Sequence, residues 1–145
     1  TERVWRAGKM QKHYDVDGHD FSIAGEASSN FKSYLKKLGI APEVIRRVAI
    51  AMYEAEINTI IHGGGGICDA EVSKDRITIT FRDHGPGIKD IDLAMQEGYS
   101  TASDQIREMG FGAGMGLPNI KKYTDGMNID SKVGVGTTVE LIINI

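Results

Sequence analysis

Glu54 and Asn58 stand four residues apart in a stretch whose apolar residues recur at helical spacing. That spacing is about one helical turn, so carboxylate and carboxamide share a face, and His62 adds a third polar group one turn on. They lie roughly opposite Ile45, Met52 and Glu56, which leaves Glu56 as the awkward charge on the apolar side. One reading is a solvated helix face. The other is a general base beside an amide oxygen for Mg²⁺, an ion that takes few protein oxygens and fills its shell with water and substrate phosphates.

A second group is Asp83-His84-Gly85-Pro86-Gly87-Ile88, which ends an alternating strand. Gly and Pro alone would make an ordinary turn. A strand-end carboxylate beside two glycines also suits an exocyclic amine that must come close to the backbone. A third group is the alternation Gly110, Gly112, Gly114, Gly116, followed by Leu117-Pro118-Asn119. Ordering each glycine costs roughly 0.5–1 kcal/mol more than alanine. The run is therefore either a flexible loop or a loop whose bare amides meet an anion at a helix N-terminus, with Pro118 fitting the first turn. The helix context favours the second. Two common phosphate loops are excluded: GxxxxGK[ST] is absent, and Met115 or Leu117 stands where a strict GxGxxG needs its third glycine.

The hydrophobic pattern supplies elements to position these groups. Residues 1–9 show no clear period and read as a loose arm or a weak first strand. Met10 to Ile23 reads as two short strands around Asp17-Gly18. Phe31, Leu35 and Leu38 mark a helix over 27–38, with Gly39 as its left-handed cap. Pro42 opens the longest helix, running to about His62, with Ile45, Val48, Ala49, Met52, Ala55 and Thr59 on one broad face. Gly63–Gly66 stops it. Strands follow at 67–73 and 76–82, the second alternating Ile77, Ile79 and Phe81 with polar residues. From Asp83 to Gly116 the pattern dissolves, save a short helix near 88–96, and such long loops are often lids or binding loops. A helix over 117–123 and strands at 127–131 and 137–145 complete the chain, the last burying Val139, Leu141, Ile143 and Ile145. The sum is α+β: a two-layer sandwich, its sheet mixed and mostly antiparallel, with helices on one face.

Composition narrows the classes. At 145 residues one domain is expected over 1–145. Seventeen basic against twenty acidic residues give a net charge of -3, which disfavours a nucleic-acid binder. One cysteine, Cys68, excludes an intramolecular disulfide framework and a cysteine-based zinc site. No apolar run approaches the roughly 18–20 residues of a membrane span, and no leader pattern opens the chain, so a cytoplasmic address is the default expectation. Glycine is the excess: of eighteen, seven lie in 83–116, four at 63–66 and two at 134 and 136.

In order, ExxxN, DxGxGI, GxGxGxGL and GxGT (Gly134-Val135-Gly136-Thr137) occur along the chain. In this the sequence resembles the GHKL ATP-binding superfamily of DNA gyrase, MutL and histidine kinases, over about residues 10–145. The stretches 54–63, 110–118 and 136–139 look closest to its small bacterial serine/threonine kinases of the anti-sigma and stress-switch type, and Gly-Leu-Pro at 116–118 leans towards the stress-switch side. The resemblance implies a Bergerat fold with an ATP lid, and ATP and Mg²⁺ as cofactors. Glu54 would be the catalytic base and Asn58 the Mg²⁺ ligand. Asp83 would bond the adenine amino group and Gly87 would let the base pack closely, with Gly85 and Ile88 counted in the same nucleotide site. Gly110, Gly112, Gly114, Gly116 and Leu117 would wrap the phosphates. Thr137 would bond near the adenine, directly or through water. His62 would sit near phosphate, its rival role being a cation at the helix C-terminus. Ser100 and Thr101 would fall in the lid, with phosphate contact or a plain turn as alternatives.

The implied activity is phosphorylation of a serine or threonine on a small regulatory protein. The alternative is a nucleotide-dependent module that sequesters a sigma factor or other regulator with little turnover. Glu54 weighs against a histidine kinase, which usually has Asn or His there, and gyrase and MutL need much longer chains. Family members often form homodimers, but the sequence marks no interface. The long lid, the second carboxylate at Glu56 and the Gly63–Gly66 run depart from the pattern.

Overall fold

The computed structural model describes residues 9–88, 91–95 and 116–145. Five strands form one sheet: β1 (Lys9–Asp17), β2 (Gly65–Ser73), β3 (Arg76–Asp83), β4 (Gly126–Lys132) and β5 (Gly136–Asn144). Their order is β1-β2-β3-β5-β4. Each pairing is antiparallel, so among the described residues the sheet lacks the parallel component expected of a mixed one. The helices are α1 (Glu26–Lys37), α2 (Pro42–Ile61), the single turn α3 (Ile91–Ala94) and α4 (Gly116–Tyr123).

Alternation decides which sheet face is covered. Cys68, Ala70 and Val72 of β2, Ile77, Ile79 and Phe81 of β3, and Val139, Leu141 and Ile143 of β5 are all buried. They meet Phe31 and Leu35 of α1 and Val48, Met52 and Ala55 of α2 in one core. Each large side chain so buried is worth roughly 1.5–3 kcal/mol. The buried face of α2 is wider than its periodicity suggests: Ala51, Ile57 and Ile60 join it, while Ala49 is only half-buried. Ile145, expected in the alternating buried set, is exposed, because β5 ends at Asn144.

Other boundaries differ for local reasons. Phe21–Ile23 is a 3-10 turn, where a second strand was expected. The Asp20 carboxylate accepts the Ser22 amide at 3.0 Å and diverts the chain from an extended course. Strand β2 begins inside the glycine run: Gly66 pairs with both Val16 and Asp83. Gly39 does close α1 in the left-handed region, at φ 76°. No described helix is long and apolar enough to cross a membrane.

This topology places distant residues together. Helix α4 packs on α2 ahead of β4, and β5 enters the sheet between β3 and β4. Arg82 is in register with Thr138, which sets Asp83, at the end of β3, next to Thr137, near the start of β5. Gly66 opposite Asp83 brings the C-terminal end of α2 to the same corner.

Candidate active site

The long helix α2 carries Glu54 and Asn58, both half-buried, and ends at His62, whose amide donates to the Asn58 carbonyl at 2.9 Å. Burial raises the Glu54 carboxyl above its ordinary value, because desolvation penalises the charged form. A hydrogen bond from Asn119 on α4 acts the other way and favours the carboxylate. Asn119 was not singled out from the sequence. Its partner lies sixty-five positions upstream, and only the packing of α4 on α2 joins them. An ion pair from Arg47 to Asp125 at 3.1 Å and the Arg46 guanidinium over the Tyr123 ring hold that packing at the far end of α4.

Glu56 has a different task. It is 3% exposed, and its carboxylate accepts the amides of Gly25 at 3.0 Å, Ala27 at 3.2 Å and Ser28 at 2.9 Å. These are the orphan donors at the start of α1, so Glu56 caps that helix through space. The awkward charge of the apolar face is thus structural.

At the opposite side of the corner, Asp83 Oδ1 accepts the Gly85 amide at 2.9 Å and the Thr137 amide at 3.1 Å. Both amides fall on that one oxygen. Gly63 packs directly on this carboxylate: a Cβ there would lie 2.5 Å from Asp83 Cγ. The glycine run therefore does more than stop α2, a point that sequence spacing did not reveal. Gly87 sits at φ 79°, and a Cβ on it would come within 2.5 Å of the Lys132 carbonyl oxygen. That contact brings the loop after β3 against the β4–β5 turn, where the Gly134 amide donates to the Pro86 carbonyl at 2.9 Å. Ile88 is half-buried and donates its amide to Ser131 Oγ at 2.7 Å.

His62 lies near Asp83, whose charge raises its pKa, but burial outweighs this and holds the imidazole below its usual value. Gly116 opens α4, and Leu117 is buried in the core, so its side chain anchors the helix. Ser100, Thr101, Gly110, Gly112 and Gly114 lie outside the described residues. The structure thus gathers Glu54, Asn58 and His62 on one helix. It gathers Asp83, Gly85, Gly87, Ile88 and Thr137 around the strand ends.

The donor set can be weighed against Mg²⁺. Among the described residues no group of three His, Cys, Asp or Glu side chains could hold a metal ion. A lone half-buried carboxamide such as Asn58 fits an ion that draws most of its ligands from phosphate and water.

Comparison with known proteins bears on the family and the fold. The family model described as histidine kinase-, DNA gyrase B-, and HSP90-like ATPase matches residues 43–145. Serine/threonine-protein kinase RsbT of Bacillus subtilis is 31% identical over 115 residues, covering 77% of this chain and 80% of that protein. Anti-sigma F factor of Clostridium acetobutylicum is 34% identical over 136 residues, covering 90% of each. Among solved structures, the RsbU and RsbW domains of a Mycobacterium tuberculosis protein superpose with a TM-score of 0.63 at 16% identity, over 92% of this chain and 32% of that one. The SiaB-SiaC complex of Pseudomonas aeruginosa gives a TM-score of 0.57 at 14% identity, over 98% of this chain and 94% of its match. At such identities the structures speak for the fold alone.

Proposed function

This chain belongs to the histidine kinase-, DNA gyrase B- and HSP90-like ATPase family, and we propose that within it the protein is an ATP-dependent serine/threonine kinase acting on a small regulatory protein. The observation that carries this reading is Glu54: a half-buried carboxylate of raised basicity, one turn from Asn58 on the helix that ends beside Asp83. The relative named as a serine/threonine-protein kinase supports the same chemistry.

In this reading Asp83 accepts the adenine amine through the oxygen that its amide partners leave open. Thr137 contributes beside it, and Gly87 lets the loop after β3 close on Lys132 to form the neighbouring wall. Asn58 would hold Mg²⁺, which when bound neutralises phosphate charge. Glu54 takes the proton of the substrate hydroxyl as that oxygen bonds to the γ-phosphorus and the bond to ADP breaks. Phosphoryl transfer asks mainly for such positioning and charge balance.

The second reading, sequestration of a sigma factor or other regulator with little turnover, is favoured by the anti-sigma F factor relatives. Replacing Glu54 by Gln separates the two. The kinase reading expects ATP to bind within about twofold of wild type, while phosphotransfer to a small regulatory protein of the antagonist type falls by about 10²–10⁴-fold. Undiminished transfer would remove Glu54 as the base. A wild-type protein that binds ATP and a regulator but transfers no phosphate to it would favour sequestration. Failure to bind any adenine nucleotide would end both readings.

A further inference from the structure

Two hydroxyls and two backbone amides meet at the strand ends. The Ile88 amide donates to Ser131 Oγ at 2.7 Å. Ser131 Oγ and Thr137 Oγ1 are 2.8 Å apart, and either can donate. The Gly136 carbonyl oxygen lies 3.4 Å from Ser131 Oγ. The Thr137 amide is held by Asp83 Oδ1 at 3.1 Å. Ser131 therefore links the loop after β3, the end of β4 and the start of β5, three segments that no sequence motif connects.

A hydroxyl has one proton to give and two lone pairs to offer. The Ile88 amide occupies one lone pair of Ser131. The Ser131 proton then goes to Gly136 at 3.4 Å, with Thr137 giving its own proton to the second lone pair of Ser131, or it goes to Thr137 at 2.8 Å; an acceptor on a ligand beside Thr137 selects the second. When it goes to Thr137, the proton of Thr137 is released for an acceptor on a ligand. The chain then runs one way, from the Ile88 amide through Ser131 and Thr137, and each hydroxyl accepts one bond and gives one.

We propose that Ser131 is a positioning residue for base recognition: it holds the Thr137 hydroxyl beside Asp83 and frees that hydroxyl's proton for a ring nitrogen of the bound base. The inference rests on the ATP-binding reading above. Adenine has the matching edge, an exocyclic amine that donates and an adjacent ring nitrogen, N1, that accepts. An ionised Asp83 only accepts, and Thr137 in this relay donates. Guanine presents the reverse pair, a carbonyl oxygen beside an N–H, and its oxygen would face a carboxylate.

The test compares ATP with 1-deaza-ATP, in which carbon replaces that ring nitrogen, by measuring Kd on wild type, Ser131→Ala and Ser131→Thr. Wild type is expected to favour ATP by about three- to tenfold, the worth of one hydrogen bond. Ser131→Ala brings the ratio close to one. Ser131→Thr, which keeps the hydroxyl, retains it. Ser131→Cys keeps the size with a weaker donor and reads between them, so the inference stays testable if the alanine variant does not fold. A merely structural serine would weaken both nucleotides by one factor and leave the ratio unchanged, which overturns the proposal. So does a wild-type ratio near one. Absence of ATP binding by wild type is a different result, since it removes the kinase reading itself.

Discussion

Exchange of Glu56 for Gln is the sharpest test of how the two glutamates on α2 divide their roles. The carboxylate takes two amides on Oε2 and one on Oε1. Gln keeps a single acceptor oxygen. If it serves Gly25 and Ala27, the Ser28 amide faces an NH₂ donor. One charge-assisted bond worth about 1.5–3 kcal/mol is then lost, and two become neutral and weaker. The negative charge at the N-terminus of α1, worth about 0.3–2 kcal/mol, goes as well. The expected cost is about 2–4 kcal/mol, a large share of the roughly 5–15 kcal/mol that stabilises a domain. With a urea slope of about 2 kcal/mol/M, the middle of the usual range, the midpoint falls by about 1–2 M.

The assay is urea unfolding without nucleotide, since a ligand adds its own stabilisation. Glu54→Gln serves as the partner variant. Burial raises the Glu54 pKa in the folded state. Between the unfolded and folded values the native protein holds more protons, so ionising Glu54 above that window costs stability. Its removal as a charge should leave the midpoint unchanged or raise it. Equal loss in both variants, or a Glu56→Gln midpoint matching wild type, would refute the division of roles.

Asn119→Ala removes the hydrogen bond that favours the Glu54 carboxylate, so the acid limb of the phosphotransfer rate should move to higher pH. A pH–rate profile that does not move would show that the contact has no effect on the base. Gly63→Ala places a methyl group 2.5 Å from the Asp83 carboxylate carbon and should weaken ATP binding at least about tenfold. Gly126→Ala, whose Cβ would make an ordinary 3.5 Å contact with Ile142, is the control and should bind as wild type in a titration.

Local periodicity carried the elements. The helix over 42–61, the alternation in β3 and β5, and the caps at Gly39 and Pro42 are written in neighbouring residues, because each depends on spacing of two to four positions. The choice between a turn and a strand at 21–23 was not, since it turned on a side chain bonding its own backbone. Glu54, Asn58 and Asp83 were legible as chemistry because they fall in short motifs on single elements.

By itself the sequence determined which groups could act and on which elements they ride. Tertiary structure decided what each one touches. Glu54 and Glu56 are the same residue type two positions apart, about 200° around a helix. One meets Asn119 across the α2–α4 contact, and the other meets the amides that open α1. Gly63 and Ser131 gained their places in the same way, through a carboxylate and a hydroxyl from other strands. Helical and strand patterns encode which face points inward, but the partner on the far side of that contact comes from chain folded back from many residues away.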